Sequence, residues 1–193
     1  MKTRAIIKKI SQGLLLLVVV LVLVGLGNWQ LDRAAFVKEN NAAAKVVDPK
    51  IYPLNNLATP TLLLDSRNVN KQVSVEGFYV ANFKAPMQRD RDGAASDWEV
   101  ALLQIGTDSA ILVVRGLWSE RLLNPDIQQS MVIDIEGLLV ASQFDDRSVN
   151  TAGVISRLDS AVITSLTDLD LYDGYVLASK ESTRTGALER TRV

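Results

Sequence analysis

The chain has 193 residues, with 21 Lys or Arg against 22 Asp or Glu, which gives a formal charge of -1 at pH 7. The length indicates one domain, and the charge balance argues against a nucleic-acid-binding protein. Because the sequence contains no Cys and no His, it excludes disulfides, thiol nucleophiles, Ser-His triads, zinc fingers and histidine-ligated haem within this chain.

A basic N-terminus and a long apolar run begin the chain. Residues 1–9 carry four basic side chains and no acidic one. Residues 10–29 are about as many as a helix needs to cross ~30 Å of hydrocarbon. The sequence therefore predicts a transmembrane helix at residues 10–29 in the cell membrane. Since the basic residues precede this helix, the N-terminus is predicted to be cytoplasmic and the main domain extracytoplasmic.

A cleaved secretory signal is the alternative interpretation, because a signal also combines a basic start with an apolar run. The run is long for a signal, and no A-x-A-like cleavage motif follows it directly. Trp29 suits an anchor at the membrane interface. We therefore expect a single-pass anchor in the lipid bilayer, then an extracytoplasmic domain at residues 30–179 and a frayed tail at residues 180–193.

Beyond the anchor, helical patterns change to β-type patterns. The anchor helix is predicted to continue to about Val47, since no Pro or Gly interrupts it. Short helices are predicted at Thr59–Asp65 and at Arg157–Leu166. Apolar patterns predict five strands, at Val73–Tyr79, Trp98–Ile105, Ala110–Val114, Met131–Val140 and Tyr175–Ala178. We expect a mostly β fold, namely an antiparallel barrel-like domain with one or two short helices.

One pattern, [VI]-x-[VI]-E-G-x-x-V, occurs twice, at Val73–Val80 and at Ile133–Val140. A glycine inside a strand usually marks a bulge or a sharp bend. Gly77 and Gly137 are therefore predicted to bend two equivalent strands. The functional alternative is that a ligand approaches the glycine backbone closely.

The sequence contains no recognisable catalytic constellation. A glycosidase-type pair needs two carboxyl groups at a fixed distance. The acids considered for such a pair are Asp90, Asp92, Asp97, Asp145 and Asp146. Arginines stand among or beside them, which favours solvated turns. Lys71 and Lys84 have no identifiable Ser partner for a Ser-Lys dyad. The chain is therefore predicted not to be an enzyme and to hold no metal ion.

Two arginines are candidates for binding. Arg33 lies one turn after Trp29, near the expected membrane surface. There it is either an interfacial cation that extends towards the lipid headgroups or a residue with a functional role in binding. Arg115 ends the apolar strand Ile111–Val114 and precedes Gly116. Its guanidinium is suited to bind carboxylates. The functional interpretation is contact with haem propionates or with an Asp or Glu of a partner, and the structural one is an ion pair with an acid of this domain.

Several segments, in order and spacing, resemble the Surfeit locus protein 1 family. They are Leu26–Arg33, Val73–Tyr79, Trp98–Leu103, Ile111–Gly116, Arg157–Asp159 and Leu171–Tyr175. Together they extend over nearly the whole chain. The resemblance implies a membrane-bound assembly factor for haem-copper cytochrome c oxidase, which acts on insertion or stabilisation of haem a in subunit I. The implied partners are subunit I and other assembly factors.

The resemblance also implies which residues contact partners. Its G-x-W-Q-x-x-R element falls on Gly27, Trp29, Gln30 and Arg33, and its R-G-W element falls on Arg115 and Gly116. One departure is that Leu117 precedes Trp118 after the Arg-Gly pair. The other is that no histidine-bearing second membrane helix, usual in the family, occurs up to Val193, so that either the sequence is truncated or this member works without that element.

No firmly bound cofactor is therefore expected, although transient contact with haem a is. The soft axial ligands that remain are the thioethers of Met1, Met87 and Met131. The alternative function is an anchored extracytoplasmic interaction module unrelated to the oxidase.

Overall fold

The computed structural model describes residues 16–17, 19–28, 30–31, 49–89, 93–123, 132–144, 151–183 and 186–193. The chain forms two units, Met1–Val46 and Val47–Val193. The described residues of the first unit are helical. Among all described residues, none of the helices combines the length and the apolarity needed to cross a bilayer. Residues 10–15, 18 and 29 of the predicted span, and residues 32–48 beyond it, lie outside the described residues.

The second unit is mostly β, as the sequence predicted. Its strands are β1 (Ile51–Pro53), β2 (Gln72–Arg89), β3 (Ala95–Ile105), β4 (Ser109–Leu117), β5 (Ile133–Val140), β6 (Asp170–Thr183) and β7 (Gly186–Ala187). A short helix, α1 (Trp118–Leu123), follows β4 directly. The described residues also form 3-10 turns at Leu54–Asn56, Ser66–Asn68, Ser160–Val162 and Thr164–Leu166. Each of the five predicted strands overlaps one of the long strands β2 to β6.

The strand pairings form a closed ring. Neighbours follow the order β2, β3, β4, β6 and β5, and β5 pairs again with β2. The prediction of an antiparallel domain is wrong for two pairings, because β4 pairs with β6, and β1 with β2, in parallel, whereas the other strand pairings of the described residues are antiparallel. Parallel neighbours need a long connection, and the chain between β4 and β6 is long enough to contain α1 and β5. The barrel-like shape remains a prediction.

The two glycines of the repeated pattern lie where strands approach each other closely. β2 pairs with β5 as far as Gly77 and with β3 from Phe78 onward. A Cβ on Gly77 would overlap the carbonyl oxygen of Gln104, and a Cβ on Gly137 would overlap that of Leu177. Gly137 also follows a register shift between β5 and β6. The close neighbour of each glycine is thus the backbone of another strand.

Strands β3 and β4 bury side chains on both faces. Ala101 and Leu103 pack in one apolar cluster with residues of β2 and β5. Val100 and Leu102, which point the opposite way, pack in a second cluster that includes Ile155 from the segment before β6. Because both faces of these strands are covered, their sequences are continuous apolar runs and do not alternate between apolar and polar residues.

Two predictions of short helices are wrong. Thr59–Asp65 is not a helix: Thr61 has a positive φ of 64°, and Asp65 instead caps the next 3-10 turn by accepting from the Arg67 N–H. Residues 157–166 form two 3-10 turns rather than one α-helix. They bury Leu158 and Ile163, whereas Leu166 is exposed.

A frayed tail was predicted at residues 180–193, but β6 continues to Thr183. Glu181 in this extension is fully buried. An acidic residue near the end of a sequence is typical of a solvated tail, and only its distant partners keep it inside the protein.

Candidate functional site

Arg115 lies at the centre of a set of buried charges. Its Nε donates to both carboxylate oxygens of Glu181 at 3.2 Å, and its Nη2 donates to Oε2 of the same residue at 2.9 Å. Its Nη1 donates to Oε1 of Glu99 at 3.2 Å. All three side chains are fully buried. The structure thus pairs Arg115 with acids of its own domain.

A β-bulge accounts for the position of Arg115. Glu99 of β3 is opposite Gly116 of β4, whereas the next residue, Val100, is opposite Val114. Arg115 is therefore the extra residue on β4. A bulge redirects the side chain at that position and increases the local twist. Here it places a guanidinium between the carboxylates of β3 and β6.

Three further arginines and one glutamate complete what we call the buried charge cluster. Its members are Glu99, Arg115, Glu120, Arg121, Glu181, Arg190 and Arg192. Arg121 of α1 donates to Oε1 of Glu99 at 3.1 Å, and Arg190, whose side chain is fully buried, forms an ion pair with the same glutamate. The cluster contains four arginines and three glutamates, so its formal charge is positive.

The C-terminal segment, residues 188–193, is attached through this cluster. Arg192 Nη1 donates to the carbonyl oxygen of Arg115 at 2.8 Å and to Glu181 at 3.3 Å. The Thr191 N–H donates to both carboxylate oxygens of Glu120 at 3.1 Å. The segment is therefore tied to β4, β6 and α1 at once.

Gly116 allows this segment to approach β4. Its φ is 148°, and a Cβ placed there would lie 2.5 Å from the carbonyl oxygen of Thr191. Any larger residue would need both a backbone conformation unusual for L-residues and the displacement of Thr191. The Arg-Gly pair of the sequence thus has two structural roles: Arg115 anchors the buried charges, and Gly116 makes room for the segment that covers them.

Tyr79 forms part of the surroundings of Arg115. The Arg115 Cζ atom lies 4.1 Å from the centroid of the Tyr79 ring, within cation-π range. Burial raises the pKa of Tyr79 well above its ordinary value of 10.0, and the charge of Glu181 adds to this shift. Burial acts to lower the pKa of Arg115, but Tyr79 and the two glutamates outweigh it, and the net shift is upward. The guanidinium therefore stays charged.

The SURF1 family model matches residues 17–191 of this chain. The chain belongs to the SURF1 family. No curated protein matches it significantly. The matched range includes the described helical residues of the first unit from residue 17 onward, all of the strands and most of the C-terminal segment, so the family assignment applies to nearly the whole molecule.

The residues that the SURF1 resemblance singled out lie in different parts of the chain. Arg115 and Gly116 belong to the buried charge cluster and to its contact with the C-terminal segment. Gln30 is helical and exposed. Trp29 and Arg33 lie outside the described residues.

Sequence reasoning missed Glu99, Glu181 and Arg190. Glu99 gave a usable signal, since it is an acid inside the otherwise apolar run Trp98–Leu103. An acid in a buried strand needs a positive partner. Glu181 and Arg190 gave no such signal, because they lie in a polar stretch near the C-terminus.

One of the acids and both lysines considered for catalysis lie within the described residues. Lys84 Nζ lies 2.6 Å from the Asp97 carboxylate, and this hydrogen bond lowers the pKa of Asp97. Lys71 donates to the side chain of Asn68 at 3.0 Å. Asp90, Asp92, Asp145 and Asp146 lie outside the described residues. Within the described ranges, no three potential ligands of the Asp, Glu, His or Cys type come together at metal-binding distance.

Proposed function

We propose that this chain is an assembly factor for haem-copper cytochrome c oxidase and that it assists the insertion or stabilisation of haem a in subunit I. The observation that carries the proposal is membership of the SURF1 family over residues 17–191. Subunit I and other assembly factors are its partners in this proposal.

The proposal gives the chain a binding role and no catalytic one. Two considerations support this. The sequence has no His or Cys to act as a nucleophile or as a general base near neutral pH. The fully buried side chains of Arg115, Glu99 and Glu181 are hydrogen-bonded to one another, an arrangement that stabilises a shape rather than activating a substrate.

In this proposal haem a is the group that is inserted into the oxidase, and it is not a resident cofactor of this chain. Of the three methionines left as soft axial ligands, Met87 is the one inside the described residues, where its side chain is 68% exposed near the end of β2. An exposed thioether does not by itself fit stable ligation of haem iron. Arg115 does not fit direct contact with a propionate either, because its guanidinium is fully buried.

The exposed edge of the buried charge cluster offers contacts that Arg115 itself cannot make. The side chains of Arg121 and Arg192 are 17% and 21% exposed. Each shares a glutamate with Arg115. In this proposal these two arginines contact a carboxylate of subunit I, or a haem propionate during transfer. Arg115 and Gly116 position the two arginines.

The proposal also includes the membrane anchor at residues 10–29, with the N-terminus cytoplasmic and the domain extracytoplasmic. Its support is the basic N-terminus followed by an apolar run. In this topology Trp29, Gln30 and Arg33 lie at the membrane surface. There they contact lipid or the transmembrane part of subunit I.

Deleting the gene tests the proposal. Reduced-minus-oxidised spectra of the membranes should lose the haem a signal, together with oxidase activity, and expression of the wild-type chain should restore both. A chain with both Arg121→Gln and Arg192→Gln should restore less. Arg67→Gln is the matched control, because Arg67 is 86% exposed and forms its ion pair with Asp65, two positions away in the chain.

Unchanged spectra and oxidase activity after deletion would contradict the proposal. They would favour the alternative of an anchored interaction module unrelated to the oxidase. Co-purification from detergent separates the two, since the proposal requires oxidase subunit I among the bound proteins and the alternative requires a set without oxidase subunits.

A further inference from the structure

An apolar cleft of about 530 Å³ lies away from the buried charge cluster. One wall is the loop Thr61–Leu63 before β2, and another is the segment from Leu169 into the start of β6. Phe144, which follows β5, contributes to the lining. Residues of two motifs that carry the family resemblance, Arg157–Asp159 and Leu171–Tyr175, line this cleft as well.

The apolar side chains of the cleft are unusually exposed. Leu63 is 89% exposed, Phe144 is 83% exposed and Leu62 is 61% exposed. Scattered surface leucines are ordinary, but adjacent exposed leucines and a phenylalanine around one concavity mark a contact surface. Each of these side chains would gain stabilisation from burial against a partner.

Hydrogen bonds hold the loop Thr61–Leu63, which we call the leucine loop, in place. One oxygen of the Asp173 carboxylate accepts from the Leu64 N–H at 2.9 Å, and the other accepts from the Ser142 hydroxyl at 2.7 Å. The Thr61 N–H donates to the carbonyl oxygen of Leu171 at 2.9 Å. Because the loop is fixed before any partner arrives, binding would cost little ordering entropy.

Thr61 adds backbone strain to the same wall. Its φ of 64° is unfavourable for a β-branched residue. Strain of this kind persists only where the surroundings impose it, and it concentrates at functional sites. The strained residue directly precedes the two exposed leucines.

The charge of the cleft indicates what it binds. Asp159, Asp170 and Asp173 line it, and among the described residues that line it there is no Lys or Arg. Asp159 pairs with Arg157 and caps the turn at Ala161, and Asp173 holds the leucine loop, so Asp170, which is exposed, is the acid best placed to meet a partner. An acidic rim around apolar side chains disfavours anionic lipid headgroups and carboxylates.

We propose that this cleft binds a short segment of a partner protein in which apolar side chains alternate with Lys or Arg. The apolar side chains contact Leu62, Leu63 and Phe144, and the basic side chains face Asp170. Both parts of the proposal follow from the exposed side chains and from the charge of the rim, and they do not depend on a role in oxidase assembly.

Selection of displayed random peptides tests the proposal, with the full chain held in phosphatidylcholine nanodiscs as bait. The selected peptides should be rich in Leu or Phe together with Lys or Arg. By fluorescence anisotropy, Leu63→Ser should weaken their binding about tenfold or more, because a buried leucine contact is lost. Asp170→Asn should weaken binding severalfold and reduce its dependence on salt.

Leu123→Ser is the matched control, because Leu123 is 79% exposed but lies on α1 and does not line the cleft. Its peptide affinity should equal that of the wild type. The proposal is wrong if no basic, apolar peptides are enriched, or if Leu63→Ser binds them as tightly as Leu123→Ser does.

Two other occupants of the cleft would also overturn it. If Leu63→Ser abolishes binding of the chain to phosphatidylserine vesicles, the cleft meets lipid. If it abolishes a dimer seen by sedimentation, the cleft meets a second copy of the chain.

Discussion

Arg115 and Glu181 are 66 positions apart in the sequence, yet three hydrogen bonds join their fully buried side chains. The arginine is the extra residue of a bulge in β4, and the glutamate lies in the last part of β6. Because both charges are removed from water, each depends on the other for stabilisation. The pair connects the centre of the sheet to the C-terminal segment.

Replacing Glu181 should therefore destabilise the domain strongly. Glu181→Gln leaves Arg115 buried with one fewer negative partner, and breaking a buried ion pair on one side costs about 3–5 kcal/mol. Urea denaturation of the purified protein measures this loss. Glu136→Gln is the control, since Glu136 and Lys180 form an exposed pair whose removal should cost about 1 kcal/mol or less. Equal losses for the two variants would contradict the assigned role of Glu181.

Replacing Gly116 should release the C-terminal segment. In Gly116→Ala the new Cβ would lie 2.5 Å from the carbonyl oxygen of Thr191, so the segment must move away. We expect faster trypsin cleavage after Arg190, whose side chain is fully buried in the wild type. We also expect about 2 kcal/mol lower stability.

Gly93→Ala separates backbone strain from steric overlap. Gly93 also has a positive φ, of 81°, but nothing lies within 4 Å of a Cβ placed there. This variant should carry the backbone penalty without exposing Arg190 to trypsin. If both variants are cleaved at the same rate, Gly116 does not hold the segment by close approach.

Buried Tyr175 should make the domain lose stability in alkali. Burial raises its pKa from 10.0 to about 12. Below pH 10 the tyrosine is protonated in both the folded and the unfolded chain, so its contribution is fully present. Between pH 10 and about 12 only the unfolded chain releases the proton, and stability falls by about 1.4 kcal/mol per pH unit from this residue.

Denaturant unfolding at a series of alkaline pH values measures this slope. Tyr175→Phe removes the ionisable group, so its stability should fall less steeply over the same interval. Buried Tyr79, whose pKa is also raised, still contributes to the slope in that variant. Parallel curves for the wild type and Tyr175→Phe would show that Tyr175 is not held neutral by the fold.

Adding a methyl group to Gly77 should disrupt the change of partner in β2. A Cβ there would overlap the Gln104 carbonyl oxygen, which belongs to the neighbouring strand and cannot move freely. We expect Gly77→Ala to lose about 3 kcal/mol or more of unfolding free energy. Gly153→Ala should lose about 1 kcal/mol, because Gly153 has a positive φ of 75° but open space around it. Thermal unfolding of both variants compares them, and a similar decrease in Tm would refute the steric argument.

Much of the strand pattern could be predicted because it is local. The apolar run Trp98–Ile105 predicted strand β3, since the two covered faces of this strand require consecutive apolar side chains. The repeat predicted bends at Gly77 and Gly137, whereas the structure shows that the backbone of another strand lies close to each glycine, with a register shift beside Gly137. The helix predicted at Arg157–Leu166 was wrong because packing buries Ile163 instead of Leu166. The helical spacing of Leu158, Val162 and Leu166, on which that prediction rested, does not establish which side chains are buried.

The sequence by itself determined the mostly β character, the absence of histidine and thiol chemistry, and the order of motifs typical of the SURF1 family. Each of these depends on residue types or on spacing along the chain. The tertiary structure alone decided that Arg115 pairs with Glu181, that β4 and β6 run in parallel, and that two leucines and a phenylalanine line an apolar cleft with an acidic rim. The physical reason is that such contacts join residues far apart in the chain, and their energy depends on burial and distance, which folding creates.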